Sequence, residues 1–171
     1  MIHVYCGEGK GKTTAAIGLA VRHAGSGGKV LFVQFMKCSD TGELHAFEKI
    51  PQITVLRNLC KHGFSFSMTD EEKAIVTASH NQNLVSAWGA VQSGACTMLV
   101  LDEIASAYDL NLINREQVDS LIDRIGTVEL ILTGRNPSQH MLEKADYITE
   151  MKSVRHPYQT NGTKARKGIE F

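Results

Sequence analysis

The chain has 171 residues, of which 43% are hydrophobic and 21% are charged, and this composition is that of one globular domain. Its 18 Lys and Arg residues balance its 18 Asp and Glu residues, so the sequence as a whole lacks the basic surplus of a nucleic-acid-binding or membrane-surface protein. No apolar run reaches the roughly 20 residues that span a bilayer, and the chain enters a strand pattern at once, so we expect a cytoplasmic protein with no membrane partner and no nucleic-acid partner.

Six short apolar runs, rich in β-branched residues, are predicted to be strands. In chain order they are 2–6, 29–36, 53–57, 97–102, 128–133 and 146–151. Several of these runs are apolar throughout, which is typical of strands that are buried on both faces of a parallel sheet.

Helical patterns lie between these strands. They are predicted at 12–24, where Gly25 is a plausible helix end, at 69–94, which opens with capping-box spacing, and at 115–126. The second helix is predicted to bury one face, made by Ala74, Ile75, Ala78, Val85, Trp88 and Val91. Strands that alternate with helices predict one three-layer α/β domain with a mostly parallel central sheet.

A glycine-rich loop, CGEGKGKTT (6–14), joins the first strand to the first helix. Glycines let backbone N–H groups approach phosphate oxygens, and the helix N-terminus adds its positive end. The loop is close to the pattern G-x-x-x-x-G-K-[ST], with Cys6 in place of the first glycine and with a second lysine, Lys10. Such a loop directs Lys12 to the phosphate chain and the Thr13 hydroxyl to Mg²⁺. We expect a phosphate-binding loop, with Lys12 exposed in it.

Two aromatic residues, Phe64 and Phe66, lie in a short segment between the third strand and the long helix. Aromatic residues in a loop more often anchor that loop to the core than bind a ligand. The residues by themselves leave both interpretations open.

Two later strand ends carry charged residues. The run TMLVLDE ends in Asp102 and Glu103, and the run ILTGR ends in Arg135. Ligands of open α/β sheets bind at the carboxyl ends of the strands, and carboxylates are the hard oxygen ligands that Mg²⁺ prefers. These features predict a protein that uses Mg²⁺ and ATP. In the simplest case it is a P-loop ATPase in which Glu103 activates water, or a small-molecule kinase.

The last segment is basic. After Met151 it contains five Lys or Arg residues and a single acid, Glu170. Its composition suits a solvated tail and equally a cover over an anionic ligand.

Together these motifs resemble those of one family, the P-loop ATP:corrinoid adenosyltransferases. The family's T-G-N-G-K-G-K-T-T, V-Q-F-x-K, G-F-T-W, V-L-D-E-I, T-G-R and A-R-K-G-I-E-F motifs correspond to residues 6–14, 33–37, 63–66, 100–104, 133–135 and 165–171. The resemblance covers nearly the whole chain. It implies a P-loop NTPase fold of the RecA-like type. It also implies a single domain over residues 1–171, in which the basic segment 152–171 folds over the active site. Longer members have an extension before the first strand that helps cover the site, and this chain starts at that strand, so either the cover is missing or the basic segment supplies it.

The resemblance also implies a reaction. The family transfers the 5′-deoxyadenosyl group of ATP to the Co(I) of a reduced corrinoid, cobalamin or a precursor, and releases inorganic triphosphate. Its members bind ATP with the phosphates reversed relative to ordinary P-loop enzymes. For this chain the resemblance implies Mg²⁺, an electron donor such as a flavoprotein, and a homodimer.

The resemblance assigns the site residues one by one. Those expected to bind ATP are Gly7, Glu8, Gly9, Lys10, Gly11, Lys12, Thr13, Thr14, Arg22 and Arg135. Lys10 and Lys12 are expected to stabilise the departing triphosphate. Thr13, with Asp102 or Glu103, is expected to hold the metal. Phe64 and Phe66 are expected to lie against the lower face of the corrin ring and displace the axial ligand, and Phe66 stands where many members have Trp.

Overall fold

The computed structural model describes residues 1–37, 39–57 and 68–170. In this part of the chain six strands form one sheet in the order β3-β2-β4-β5-β1-β6, and every strand pair is parallel. The strands are β1 (Ile2–Cys6), β2 (Val30–Gln34), β3 (Ile53–Arg57), β4 (Met98–Asp102), β5 (Glu129–Thr133) and β6 (Tyr147–Glu150). All six predicted strands are therefore confirmed, with small shifts at their ends.

Helices connect the strands. They are α1 (Lys12–Gly25), α2 (Gly42–Phe47), α3 (Asp70–Gln92), α4 (Ile104–Asp109), α5 (Arg115–Asp123), α6 (Gln139–Lys144) and α7 (Pro157–Asn161). The predicted capping box of α3 is confirmed, because the Thr69 hydroxyl accepts a hydrogen bond from the Glu72 N–H and the Glu72 carboxylate accepts one from the Thr69 N–H. At the C-terminal end of α1, Gly25 is still part of the helix, and Gly27 has the positive φ at which the chain turns.

The sheet is buried between two layers of helices. One face packs against α1, whose buried side is lined by small residues, Ala16, Ala20 and Ala24. The other face packs against side chains of α3, α5 and α6. Along β4, Met98 and Val100 belong to the first cluster and Leu99 and Leu101 to the second. Both faces of this strand are therefore in the core, as its continuous apolar sequence predicted.

The predicted buried face of α3 is wrong at four of its six positions, because only Trp88 and Val91 pack, partly buried, against the core. The residues that α3 buries are Val76, His80, Asn83, Leu84 and Ala87, whereas Ile75 is 62% exposed and Val85 is 56% exposed. Two of these buried residues are polar, and one of them, His80, finds hydrogen-bond partners inside the protein. The pattern of apolar side chains alone therefore predicts four core positions, Ala74, Ile75, Ala78 and Val85, that are exposed.

No helix in the described ranges combines the length and the apolarity that crossing a bilayer requires. Because all the strands are parallel, the carboxyl ends of β1, β2, β4, β5 and β6 lie at one edge of the sheet. This edge is where ligands of such sheets bind.

Candidate active site

The glycine-rich loop follows β1 directly and is tied to its neighbours through backbone atoms. The Gly7 N–H donates to the Arg135 carbonyl at 3.1 Å, and the Gly9 N–H donates to the Met151 carbonyl at 2.6 Å. Gly7 and Gly11 have φ values of 95° and 116°, which glycine adopts without strain. The loop therefore lies against the chain segments that follow β5 and β6, and it leads into the first turn of α1.

Lys12 is buried, with 9% of its surface exposed, so the expectation of an exposed loop lysine is wrong. Its ammonium donates to the Gly7 carbonyl at 2.7 Å and to the Gly9 carbonyl at 2.9 Å. The side chain folds back across its own loop because these two carbonyls point inward and need a donor. A positive charge is thus held inside the loop that is expected to surround the phosphates.

Asp102 is the centre of a buried polar cluster at the end of β4. It is fully buried, and its Oδ1 accepts from the Thr13 hydroxyl at 2.9 Å and from the Thr133 hydroxyl at 2.7 Å. Its Oδ2 accepts from the ammonium of Lys37, which follows β2, at 2.7 Å. The acid predicted from β4 and the hydroxyl predicted from the glycine-rich loop therefore meet.

Glu103 has different partners. Its backbone is left-handed, with φ of 63°, and its N–H donates to the Thr133 hydroxyl at 2.8 Å. Its carboxylate accepts from the Ser106 hydroxyl at 2.6 Å. The geometry therefore favours Asp102 over Glu103 as the acid that acts together with Thr13.

The residues around Asp102 fit a magnesium ion. A carboxylate and a hydroxyl are hard oxygen donors, and a lysine ammonium already lies against both of them, which marks the place as one for a cation. The described residues contain no group of three or more His, Cys, Asp or Glu that could hold a metal. In a P-loop site, phosphate oxygens of the nucleotide complete the ligand set.

The rim of the site consists of exposed ion pairs. Arg135 contacts Glu8 at 3.2 Å, and Lys10 contacts Glu170 at 2.8 Å. Hydrogen bonds from Arg166 and Lys10 lower the pKa of Glu170 to about 2, so this carboxylate is charged at neutral pH. Glu170 therefore ties the end of the C-terminal segment to the glycine-rich loop.

Two further predicted site residues, Thr14 and Arg22, lie on α1. Thr14 is exposed in the first turn of α1, and Arg22 is exposed in the last turn. At a rise of 1.5 Å per residue, Arg22 is roughly 15 Å along the helix from Lys12. Phe64 and Phe66 lie outside the described residues. The assignments of Arg22 to ATP and of the two aromatics to the corrinoid stay predictions.

The chain was compared with known proteins. The family described as ATP:corrinoid adenosyltransferase BtuR/CobO/CobP matches it over residues 1–171. The chain belongs to this family. The corrinoid adenosyltransferase of Pseudomonas aeruginosa is 33% identical over 174 residues, which cover 98% of this chain and 82% of that protein. The corrinoid adenosyltransferase of Escherichia coli K12 is 34% identical over 174 residues, covering 100% of this chain and 85% of that one.

A solved structure agrees with the fold. A KaiC-like protein from the archaeon Pyrococcus horikoshii superimposes with a TM-score of 0.56, covering 88% of this chain and 70% of that chain at 18% identity. At this identity the likeness concerns the fold alone. With the family match, it confirms the α/β P-loop architecture and the family resemblance that the motifs indicated.

Two residues of the Asp102 cluster, Lys37 and Thr133, were not predicted from the sequence of this adenosyltransferase. Lys37 ends the motif at 33–37, which carries the resemblance but assigns this lysine no role. Thr133 ends an apolar strand at the same sheet edge as Asp102, and its hydroxyl bonds both Asp102 and the Glu103 N–H. A polar residue at the end of a buried strand is the signal that points to Thr133. No comparable signal identifies the partner of a flexible lysine.

The contact between Gly9 and Met151 makes a testable prediction. A Cβ on Gly9 would lie 2.6 Å from the Met151 carbonyl oxygen and 2.7 Å from its carbon, so Gly9→Ala must push the loop away from the segment after β6. We expect this variant to lose most of its ATP affinity and about 1–3 kcal/mol of unfolding free energy, as measured by calorimetric titration with ATP and by denaturant unfolding.

Gly18→Ala is the matched control. A Cβ on Gly18, inside α1, meets no described atom within 4 Å. Alanine in a helix should raise stability by about 0.5–1 kcal/mol and leave ATP affinity unchanged. If Gly9→Ala binds ATP as well as Gly18→Ala does, the tight contact with Met151 has no part in shaping the loop.

His80 makes a prediction about pH. Its Nδ1 donates to the Leu112 carbonyl at 2.9 Å, and its Nε2 accepts from the Met36 N–H at 3.2 Å, an arrangement that needs the neutral ring. Burial lowers the pKa of His80 below its ordinary value of 6.5. The unfolded chain then binds a proton that the folded protein does not. Stability should therefore fall as the pH drops below about 6.5, with a slope of up to about 1.4 kcal/mol per pH unit.

The measurement is unfolding free energy between pH 7.5 and 5 for the wild type and His80→Gln. Because Gln does not titrate, the difference in stability between the two proteins should shrink as the pH falls. A difference that stays constant across this range would contradict a neutral, buried His80.

Proposed function

We propose that this protein transfers the 5′-deoxyadenosyl group of ATP to the Co(I) of a reduced corrinoid, either cobalamin or a precursor, and releases inorganic triphosphate. The observation that carries the proposal is the family match over the full 1–171 range. The site supports it, because the glycine-rich loop, Lys12 and the Asp102 cluster all lie at the ligand-binding edge of the sheet.

The chemistry explains why so few reactive side chains are needed. Co(I) is a nucleophile that carries no proton, so its attack on the 5′ carbon needs no general base. A cobalt–carbon bond forms, the bond between that carbon and the phosphate oxygen breaks, and its electron pair leaves with triphosphate. The protein has to align the carbon with cobalt and stabilise the negative leaving group.

The glycine-rich loop meets the second requirement. Lys12 is already held within hydrogen-bonding distance of two loop carbonyls, so its ammonium is preorganised beside the place where phosphates are expected. The loop N–H groups and the N-terminus of α1 add partial positive charge. Lys10 is more exposed and bonded to Glu170, and we propose that it turns from this acid to the triphosphate.

We propose that Thr13 and Asp102 hold Mg²⁺ with ATP, directly or through a water molecule. The ion supplies positive charge that offsets the charge of the triphosphate leaving group. Thr133 keeps the Asp102 carboxylate in place from the side of β5, because its hydroxyl donates to the same oxygen as Thr13.

The corrinoid and the protein partners are also proposals. Phe64 and Phe66 are expected to contact the corrin ring, and a donor such as a flavoprotein is expected to supply the electron that gives Co(I). A homodimer is supported by edge strand β6, where Tyr147 and Ile148 are 51% and 52% exposed. The contact of Glu170 with Lys10 supports a C-terminal segment that covers the loop.

Product analysis tests the proposed reaction. After incubation with ATP, Mg²⁺ and a reduced corrinoid, phosphorus NMR should detect triphosphate in an amount equal to the adenosylated corrinoid. ADP with phosphate, or ADP with a phosphorylated substrate, would instead indicate a P-loop ATPase or a small-molecule kinase.

A further inference from the structure

The ammonium of Lys37 lies beside the buried Asp102 carboxylate, although Lys37 belongs to neither the glycine-rich loop nor β4. Its ammonium donates to the Asp102 Oδ2 at 2.7 Å and to the Thr13 hydroxyl at 2.9 Å. Its side chain is 24% exposed and that of Asp102 is fully buried. A buried carboxylate needs a positive partner, and Lys37 is the described residue that supplies it.

The two oxygens that Lys37 contacts are the ones proposed above for Mg²⁺. Magnesium binds oxygen at about 2.0–2.1 Å and tolerates little distortion of its ligand shell. An ammonium bonded to the same hydroxyl and the same carboxylate would repel the ion and block its position. The two cations therefore exclude one another.

The backbone at Lys37 is fixed, while its side chain is long enough to move. The preceding residue, Met36, has a left-handed φ of 58° and donates its N–H to His80. Arg57 donates to the carbonyls of Lys37 and Ser39 at 3.4 Å and 3.0 Å. The flexible four-carbon stem of lysine can change partner without any change in this anchored segment.

We propose that Lys37 is an exchangeable internal cation that occupies the metal position of the free protein and turns to the phosphate chain when Mg²⁺ enters with ATP. This inference rests on the proposed metal site at Thr13 and Asp102. Its consequence is that the free protein binds a divalent cation poorly. ATP opens the metal position because its phosphates offer Lys37 another anionic partner.

Manganese binding in the absence of ATP and corrinoid tests the proposal, with free Mn²⁺ measured by electron paramagnetic resonance. Lys37→Met removes the competing charge and should bind Mn²⁺ at least about tenfold more tightly than the wild type, because one unit charge this close changes a binding constant by at least that factor. In metal-free buffer the same variant should bind ATP at least about fivefold more weakly. Lys49→Met, which removes an exposed lysine after α2, should match the wild type in both assays.

One further variant and one further measurement keep the test decisive. Lys37→Gln lacks the charge but retains a hydrogen-bond donor, so it should repeat the tighter Mn²⁺ binding if Lys37→Met folds poorly. In the wild type, lysine ¹⁵N NMR should show a protected ammonium signal that MgATP removes. Equal Mn²⁺ affinity in the uncharged variants and the wild type, or an ammonium signal unchanged by MgATP, would overturn the proposal. These assays contain no corrinoid, so their result is independent of whether adenosyl transfer occurs.

Discussion

Lys12→Ala should reduce adenosyl transfer by at least about 100-fold, the usual cost of losing one preorganised donor to a developing negative charge. The loss should appear in the turnover number, because the charge on the leaving oxygen grows as the carbon–oxygen bond breaks. Stability should fall by about 1–3 kcal/mol, because the carbonyls of Gly7 and Gly9 lose the ammonium that they share. The measurements are the initial rate of adenosylcobalamin formation and denaturant unfolding.

Lys10→Ala is the matched comparison for this variant. Lys10 is exposed and pairs with Glu170 on the surface, so its removal should change stability by less than about 0.5 kcal/mol and the rate by less than the Lys12 change does. A Lys12→Ala protein that is folded and turns over at nearly the wild-type rate would contradict the role given to the buried ammonium.

Asp102→Asn should be the most damaging change to an acid in this site. The carboxylate accepts from Thr13 and Thr133 at one oxygen and from Lys37 at the other. Asparagine has the same shape, but it lacks the negative charge. Its NH₂ group would replace one carboxylate oxygen and would face either the two threonine hydroxyls or the Lys37 ammonium, all of which donate hydrogen bonds. We expect transfer to fall by at least about 100-fold and Mn²⁺ binding in the presence of ATP to weaken by at least about tenfold.

Glu103→Gln separates the two acids that the sequence could not distinguish. The Glu103 carboxylate accepts from the Ser106 hydroxyl, whereas the Thr13 hydroxyl donates to Asp102, so Glu103→Gln should lose less transfer activity and less Mn²⁺ affinity than Asp102→Asn. A larger loss in Glu103→Gln would assign the metal to Glu103. Loss of ATP hydrolysis in the same variant, with no adenosyl transfer in the wild type, would favour an ATPase.

The fold was predictable because parallel strands buried on both faces have continuous apolar sequences. The observed strands β2 and β4 contain no exposed position, so their apolar sequences have no gap. The capping box located the start of α3, whereas α1 runs on through its predicted end at Gly25 and α5 ends at Asp123, before its predicted end at 126. The helices that were missed, such as α2 and α6, are six residues long, and a helix of this length does not complete two turns of a periodic pattern.

The buried face of α3 could not be predicted by the same means. His80 and Asn83 are buried there, while Ile75 and Val85 are exposed. The choice of face depends on where a polar side chain finds partners, and the partners of His80 are backbone atoms of Met36 and Leu112, far away in sequence. Local hydrophobicity carries no information about contacts of this kind.

In the candidate site, too, one part was predictable from the sequence and another was not. The positions of the motifs at strand ends were sufficient to predict that Thr13 and Asp102 lie at one edge of the sheet. In the structure the Thr13 hydroxyl lies 2.9 Å from the Asp102 Oδ1. The position of a long side chain was not predictable from spacing. Lys12 folds back into its loop, and Lys37 reaches Asp102 from another strand end, because each of them finds oxygen acceptors that only the folded chain brings together.

The most direct test of the account is to incubate the protein anaerobically with ATP, Mg²⁺ and chemically reduced cobalamin, and to record the visible spectrum. Formation of the cobalt–carbon bond should replace the Co(I) spectrum with that of adenosylcobalamin, at a rate that depends on the protein and on ATP. If the protein binds ATP under these conditions and the Co(I) spectrum does not change, it is not an adenosyltransferase for cobalamin. A repeat of the assay with a precursor corrinoid that also leaves the spectrum unchanged would contradict the proposed function.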